Sequence, residues 1–194
     1  MDKRRGLALV TGASSGTGRE TAKRLAEKGF DVIVAARRME RLEELASQYQ
    51  SITPKALDFS NPEEVKTFCG YLSTLPGPVS VLINNAGYSI RGALEDVPPE
   101  AVRRVFQVNL FSLIQITQAC LPAMRKQRKG RIVNVSSMAG KFVFPMSGVY
   151  AATKHALEHR PPTARDLGEA RAARPGERPV RSCRREPRLY PCPQ

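Results

Sequence analysis

Cysteine is sparse and unpatterned in this 194-residue chain: Cys69, Cys120, Cys183 and Cys192 form no Cys-x-x-Cys pair. Neither a disulfide framework nor a zinc site is indicated. Histidine is scarcer still, limited to His155 and His159. The two stand four apart, as metal ligands on one helix face would, but no third ligand lies near them, so surface or structural roles are expected. Long hydrophobic runs are missing as well. The basic start Lys3-Arg4-Arg5 is followed only by the short apolar run Leu7 to Val10, too brief for the core of a secretory signal. No window approaches the roughly 18 apolar residues of a membrane span, so a cytoplasmic chain is expected. Its length suits one domain that buries roughly two thirds of its unfolded surface.

Acidic residues are few against 31 Lys and Arg, and the net charge is +13. The excess is uneven. Residues 159 to 194 hold nine Arg, no Lys and four acids, while the remaining charge is spread thinly over the first 158 residues. Clustered Arg binds phosphates whatever the sequence, so a nucleic-acid-binding tail is one reading. Without interleaved aromatics or a docking motif, nucleic acid is not expected as a partner.

Apolar periodicity carries the organisation. Leu7 to Val10 is a short apolar run, followed by glycines and then by Ala22, Leu25, Ala26 and Phe30 at helical spacing. Asp31 to Ala36 is β-branched and apolar, and Met39, Leu42, Leu45, Ala46 and Tyr49 again recur at three and four residues. A third strand at Lys55 to Phe59, a helix lined by Val65, Phe68, Cys69 and Leu72, and a fourth strand at Val79 to Ile83 follow. Pro98 to about Lys129 reads as helix in two pieces, with the prolines suited to a first turn. Its stretch 105–121 is apolar on nearly all sides, which suggests packing against the sheet and against a partner subunit, as in a homo-oligomer. Arg131 to Val135 is a fifth strand, and a last helix begins near Val149. Strands alternating with helices imply an α/β domain whose parallel sheet is covered on both faces.

The first strand runs into Thr11-Gly12-Ala13-Ser14-Ser15-Gly16-Thr17-Gly18. Between a strand and a helix, such glycines let the chain turn sharply and bring its backbone against a pyrophosphate, with the helix N-terminus facing the anion. The cofactor's ribose is read about twenty residues further on, by a carboxylate for a free 2′-hydroxyl or by arginine for a 2′-phosphate. Here the second strand ends in Arg37-Arg38. Arg37, helped by Arg38 and Ser15, is expected to pair with a phosphate, which favours NADP over NAD.

Further motifs complete a set: Asn84-Asn85-Ala86-Gly87 after strand four, Ser137 after strand five, and Tyr150-Ala151-Ala152-Thr153-Lys154 thirteen residues later. In this order and on these elements, the chain resembles the classical short-chain dehydrogenase/reductases, with some likeness to their hydroxysteroid and retinol dehydrogenase branch. The resemblance covers residues 1 to about 158. It implies a Rossmann-type doubly wound parallel sheet, truncated so that strands one to five are present and the family's last two are missing. It further implies that Gly12, Gly16 and Gly18 cradle the pyrophosphate, that Asp58 contacts the adenine edge, and that Asn85, Ala86 and Gly87 line the cofactor floor. Asn109 corresponds to the family's active-site asparagine, which shapes the long helix and anchors a water path to the lysine. Ser137, Tyr150 and Lys154 correspond to its catalytic group.

The chemistry of those side chains supports the roles. Reducing a ketone by hydride leaves an alkoxide that needs a proton, and tyrosine, which titrates near 10 in water, holds one at neutral pH. A lysine one turn later lies on the same helix face and favours the tyrosinate. Ser137 can hold the carbonyl oxygen within reach. The loop residues Phe142 to Met146, with Tyr88 and Ile90, form either an apolar wall for a small-molecule substrate or a lid on the core.

After Glu158 the pattern ends. Residues 159 to 194 contain seven prolines, Pro161-Pro162 falls where the helix would continue, and an interior proline costs a helix about 3 kcal/mol or more. Two segments are expected: a dinucleotide-binding domain over 1–158, and an Arg/Pro-rich tail over 159–194 without regular structure. An inactive Rossmann protein that only binds nucleotide or associates with partners is the alternative to an oxidoreductase.

Overall fold

A computed structural model of the chain describes residues 5–158. The expected Arg/Pro-rich tail lies outside the described residues. Five strands form one sheet: β1 (Leu7–Thr11), β2 (Asp31–Ala36), β3 (Ile52–Ala56), β4 (Val79–Asn84) and β5 (Arg131–Asn134). All pairings are parallel and the order is β3-β2-β1-β4-β5. The helices between them are α1 (Gly16–Glu27), α2 (Met39–Gln48), α3 (Pro62–Ser73), α4 (Pro99–Phe106), α5 (Ser112–Gln127) and α6 (Gly148–Glu158). A π-helical turn at Gln107–Phe111 joins α4 to α5, so the two expected pieces run on as one helix.

Alternation along the strands builds two cores, because successive strand side chains point to opposite faces. Leu9, Ile33 and Leu82 pack on one face with Phe68 of α3 and Ile116 and Met124 of α5. Ala8, Val10, Val32 and Val34 pack on the other with Ala22 of α1 and Leu42 and Leu45 of α2. Each large side chain withdrawn from water stabilises the fold by about 1.5–3 kcal/mol. By length and composition alone, Pro99–Gln127 would suffice to cross a membrane. This corrects the expectation that no such stretch exists. The burial of Leu113, Ile116, Cys120 and Met124 gives its apolar face a partner within the fold. On its outer side Phe111 is 49% exposed, and Gln115 and Gln118 are exposed with it.

The third strand is displaced from its expected position. It starts at Ile52 rather than Lys55, because pairing with β2 places buried Ile52 opposite Val32. Leu57 then leaves the strand, its N–H bonded to the Ala36 carbonyl at 3.0 Å. Pro54 is tolerated because β3 pairs only with β2. Asn61 caps α3 by accepting from the N–H groups of Glu63 and Glu64, which fixes the Asp58–Ser60 loop. Among the described residues β5 is the other edge, with Val133 39% exposed.

The strand order reverses between β1 and β4, and the loops leaving their carboxyl ends diverge. That divergence opens a crevice, where ligands of such sheets bind.

Candidate active site and nucleotide cleft

The crevice is fastened by one threonine and one asparagine. The Thr11 hydroxyl accepts from the N–H groups of Asn85 and Ala86, each at 3.0 Å, and donates to the Ile83 carbonyl at 3.3 Å. The Asn85 amide donates to the carbonyls of Thr11 and Gly12 at 3.0 and 3.2 Å. The glycine loop therefore rests directly on the loop after β4. A Cβ on Gly12 would stand 2.8 Å from the Cα of Ala86, and Gly12 has φ +68. One on Gly18 would collide with the Asn85 amide and the Gly12 carbonyl. Ser15 begins α1 without capping it; its hydroxyl accepts from Arg38 at 2.9 Å instead. The first amides of α1 are left without a side-chain partner, which suits an anion.

Beyond the glycines lies a cleft of about 360 Å³, lined by Gly12, Ser14, Ser15, Arg37, Arg38 and Asp58, and on the far side by Ala86, Gly87, Tyr88, Arg104 and Val108. The two arginines after β2 both line the cleft but are held differently. Arg38 is the anchored one: its guanidinium bonds Ser14 at 2.9 and 3.2 Å as well as Ser15. Arg37 lines the cleft without a hydrogen bond or ion pair among the described residues. Asp58 accepts on Oδ1 from both the N–H and the hydroxyl of Ser60 at 2.8 Å. Burial pushes its carboxyl pKa up, but the Ser60 bonds with Arg37 and Arg104 outweigh that and hold it below the usual value. Sequence reasoning did not assign Ser14, Arg104 and Val108 to the cleft, and Tyr88, expected beside the substrate or on the core, lines it too. Ser14 sits inside the glycine motif and was legible there. Arg104 and Val108 reach the cleft only through the path of the long helix, and nothing in the local sequence announces it.

At the other end of the crevice, α6 carries Tyr150 and Lys154. The Lys154 Nζ donates to the Val135 carbonyl at 3.0 Å and lies 5.9 Å from the centre of the Tyr150 ring. Lys154 is 5% exposed, and burial lowers its ammonium pKa. Gly87 roofs this lysine: a Cβ there would stand 3.1 Å from Asn109 Oδ1 and 3.5 Å from Lys154 Nζ. The loop that floors the cleft is thus also the loop that covers the lysine. Asn109, fully buried in the π-turn, accepts from the Tyr88 N–H at 3.0 Å and donates to the Tyr88 carbonyl at 2.9 Å and the Thr153 hydroxyl at 3.1 Å. It braces the floor loop against α6; its contacts are with these groups rather than with the lysine. The Ser137 hydroxyl oxygen accepts from the Ala139 N–H at 3.2 Å, which leaves its proton available to another acceptor. His155 Nδ1 is paired with the Ala151 carbonyl at 2.9 Å. No group of metal-ligating side chains occurs among the described residues.

The apolar loop residues do not cover the core. Val143, Phe144 and Met146 are 46–66% exposed, and with Gly92, Leu94 and Val149 they line an open apolar cleft of about 350 Å³. The Gly92 N–H bonds the Met146 carbonyl at 2.9 Å and ties the two loops together. Val149, one residue before Tyr150 in α6, completes this lining.

A family model described as short chain dehydrogenase matches residues 6–166. An uncharacterized oxidoreductase of Staphylococcus saprophyticus is 38% identical over 78% of this chain and 62% of its own length. The NADPH-dependent 1-acyldihydroxyacetone phosphate reductase of Saccharomyces cerevisiae is 42% identical over 78% of this chain and 52% of its own. Among solved structures, a metagenomic short-chain oxidoreductase in complex with NADP superposes with a TM-score of 0.76 at 31% identity, over 80% of this chain and 72% of that one. The chain thus spans roughly half to three fifths of the length of these curated relatives.

Proposed function

The chain belongs to the short chain dehydrogenase family, and from that premise we propose that it is built as an NADP-dependent oxidoreductase acting on a ketone or secondary alcohol with an apolar substituent. One observation carries this reading: the Gly87 loop that floors the nucleotide cleft also covers Lys154, whose Nζ lies 5.9 Å from the Tyr150 ring. Binding and proton chemistry share one wall.

The residues present fit the cofactor. Gly12 and Gly18 let the glycine loop close against Asn85 and Ala86, Gly16 leaves open space at the start of α1, and the uncapped amides of α1 suit a pyrophosphate. Arg38, held by Ser14 and Ser15, offers a pre-oriented guanidinium for a 2′-phosphate, with Arg37 beside it. The NADPH-dependent yeast relative and the NADP-bound neighbour agree with that choice. Bound there, the nicotinamide supplies or accepts the hydride.

The chain's own residues handle the oxygen and its proton. Tyr150 donates its phenolic proton to the carbonyl oxygen as negative charge develops, and takes it back in the reverse direction. The Lys154 ammonium stabilises the phenolate so formed. Ser137, with its oxygen already engaged by Ala139, donates to the same substrate oxygen and positions it. Leu94, Val143, Phe144 and Met146 offer an apolar surface for the rest of the substrate.

Nucleotide binding without turnover is the second reading. It is favoured by the contrast between a walled nucleotide cleft and an apolar cleft whose Val143 is 66% exposed. Fluorescence titration of the purified chain with NADPH and NADH, followed by turnover assays with bulky apolar ketones, separates the two. Tight NADPH binding with turnover that falls by about 10²–10⁴ in Tyr150→Phe supports the first. Binding without turnover supports the second. A chain that binds neither nucleotide, or turnover unchanged in Tyr150→Phe, overturns the oxidoreductase reading.

A further inference from the structure

We infer that Arg104 of α4 is a base-clamping residue of the nucleotide cleft, gripping the adenine together with Arg37 and the carboxylate of Asp58. The inference rests on reading the cleft as a nucleotide site. It adds to that reading a contact from an element that neither the glycine motif nor the residues after β2 point to.

Arg104 and Val108 stand four apart and both line the cleft, so one face of the long helix forms its wall. That wall is tied both to the Asp58 segment and to the loop after β4. The buried Ser112 hydroxyl, at the start of α5, donates to the Phe59 carbonyl at 2.7 Å, next to Asp58 in sequence. Asn109 holds the same π-turn to the backbone of Tyr88.

The cations of the cleft divide into two kinds. Arg38 is committed to Ser14 and Ser15. Arg37 and Arg104 line the cleft with no hydrogen bond or ion pair among the described residues. Ser60 occupies Asp58 Oδ1 with two bonds, leaving Oδ2 as the open acceptor. The attraction of both arginines helps keep that carboxyl ionised.

An adenine answers this arrangement. Its exocyclic amine can donate to a carboxylate oxygen, and its two faces accept planar guanidinium groups. A phosphate placed beside Asp58 would meet its negative charge. The Arg104 contact therefore serves the base, while the 2′-phosphate falls to Arg38.

Calorimetric titration of the full chain with 5′-AMP and 2′,5′-ADP tests the division. In Arg104→Ala both nucleotides should bind about threefold to tenfold more weakly, the range of a partly exposed cation–π contact. Arg104→Lys should recover less than half of that loss, because the ammonium lacks the plane. In Arg38→Ala only 2′,5′-ADP should weaken. Arg104 is exposed on its helix, so its replacement should leave the circular dichroism and melting of the chain unchanged. Unaltered affinity of Arg104→Ala for both nucleotides, or a loss confined to 2′,5′-ADP, overturns the inference while leaving the nucleotide site standing. A wild-type chain that binds neither nucleotide overturns both.

Discussion

The two ends of the crevice are built to different standards. Around the glycine loop, β1 has strands on both sides, Thr11 and Asn85 together make five hydrogen bonds across the switch point, and a Cβ on Gly12 or Gly18 has nowhere to go. Around Tyr150, the supporting strand β5 is an edge among the described residues, and Lys154 makes one hydrogen bond. The glycine end is thus held on a central strand by interlocked bonds, and the Tyr150 end, beside an edge, by the Lys154–Val135 and Asn109–Thr153 bonds and the Lys141–Glu158 ion pair. Nucleotide binding should therefore survive perturbations that end turnover, and few changes should do the reverse.

The strongest way to break that asymmetry is from the rigid end. Gly18→Val would drive a branched side chain into the Gly12 carbonyl and the Asn85 amide, and overpacking of this kind costs about 1–3 kcal/mol or more. NADPH fluorescence should show no saturable binding, and the melting temperature should fall. Gly16→Ala is the control: its Cβ meets nothing within 4 Å, and only the φ of +57 is strained, at a cost of about 1–2 kcal/mol. Equal falls in melting temperature in the two variants would mean that crowding against Asn85 does not set the loop.

Next in size is the brace between the ends. Asn109→Leu leaves the Tyr88 N–H and carbonyl without their partner and removes one of the two bonds of the Thr153 hydroxyl, which still donates to the Tyr150 carbonyl. At about 1 kcal/mol for each lost bond, the melting temperature should drop by roughly 6–12 °C. Turnover should fall further than NADPH affinity, since α6 loses its tie while the glycine loop keeps its own. A melting temperature within a degree of wild type would remove Asn109 from this role.

Much of this division is legible in the amino-acid order. The glycine loop, the Asn84–Gly87 turn and the Tyr150/Lys154 pair announce themselves because each needs particular residue types at fixed spacing on fixed elements. What sequence reasoning missed depends on long-range packing. The start of β3 follows from the fit of Ile52 beside Val32 across the sheet, and Pro54 with its polar neighbours hides it. The π-turn at Gln107–Phe111 has no composition of its own; it is fixed by Asn109 and Ser112 reaching Tyr88 and Phe59. That Arg38 rather than Arg37 is anchored turns on which guanidinium meets Ser14, a matter of side-chain direction at the end of β2.

The exposed edge offers a smaller effect. A strand edge with unpaired backbone groups and an apolar side chain invites association, and a charge blunts it. Val133→Lys should lower the weight-average mass in sedimentation experiments at high concentration and leave NADPH affinity unchanged. An identical mass distribution would show that β5 is not where copies of the chain meet.

The smallest effect concerns Lys154, the lysine proposed to act with Tyr150. Burial lowers the Lys154 pKa, so the unfolded chain holds that proton more tightly than the folded one. Stability attributable to this residue therefore rises with pH between its lowered folded pKa and about 10.4, where lysine titrates in unfolded chains, and the full desolvation cost applies below that window. Lys154→Met carries no such charge. The stability of wild type relative to the variant should then shift in favour of wild type as pH is raised from 7 to 10, by about 1 kcal/mol or less, read from urea midpoints of both proteins. Turnover should be absent in the variant throughout. A stability difference that stays flat with pH, or moves the other way, would mean that the folded chain does not penalise this ammonium, and that Lys154 is as well solvated as the arginines at the opposite end.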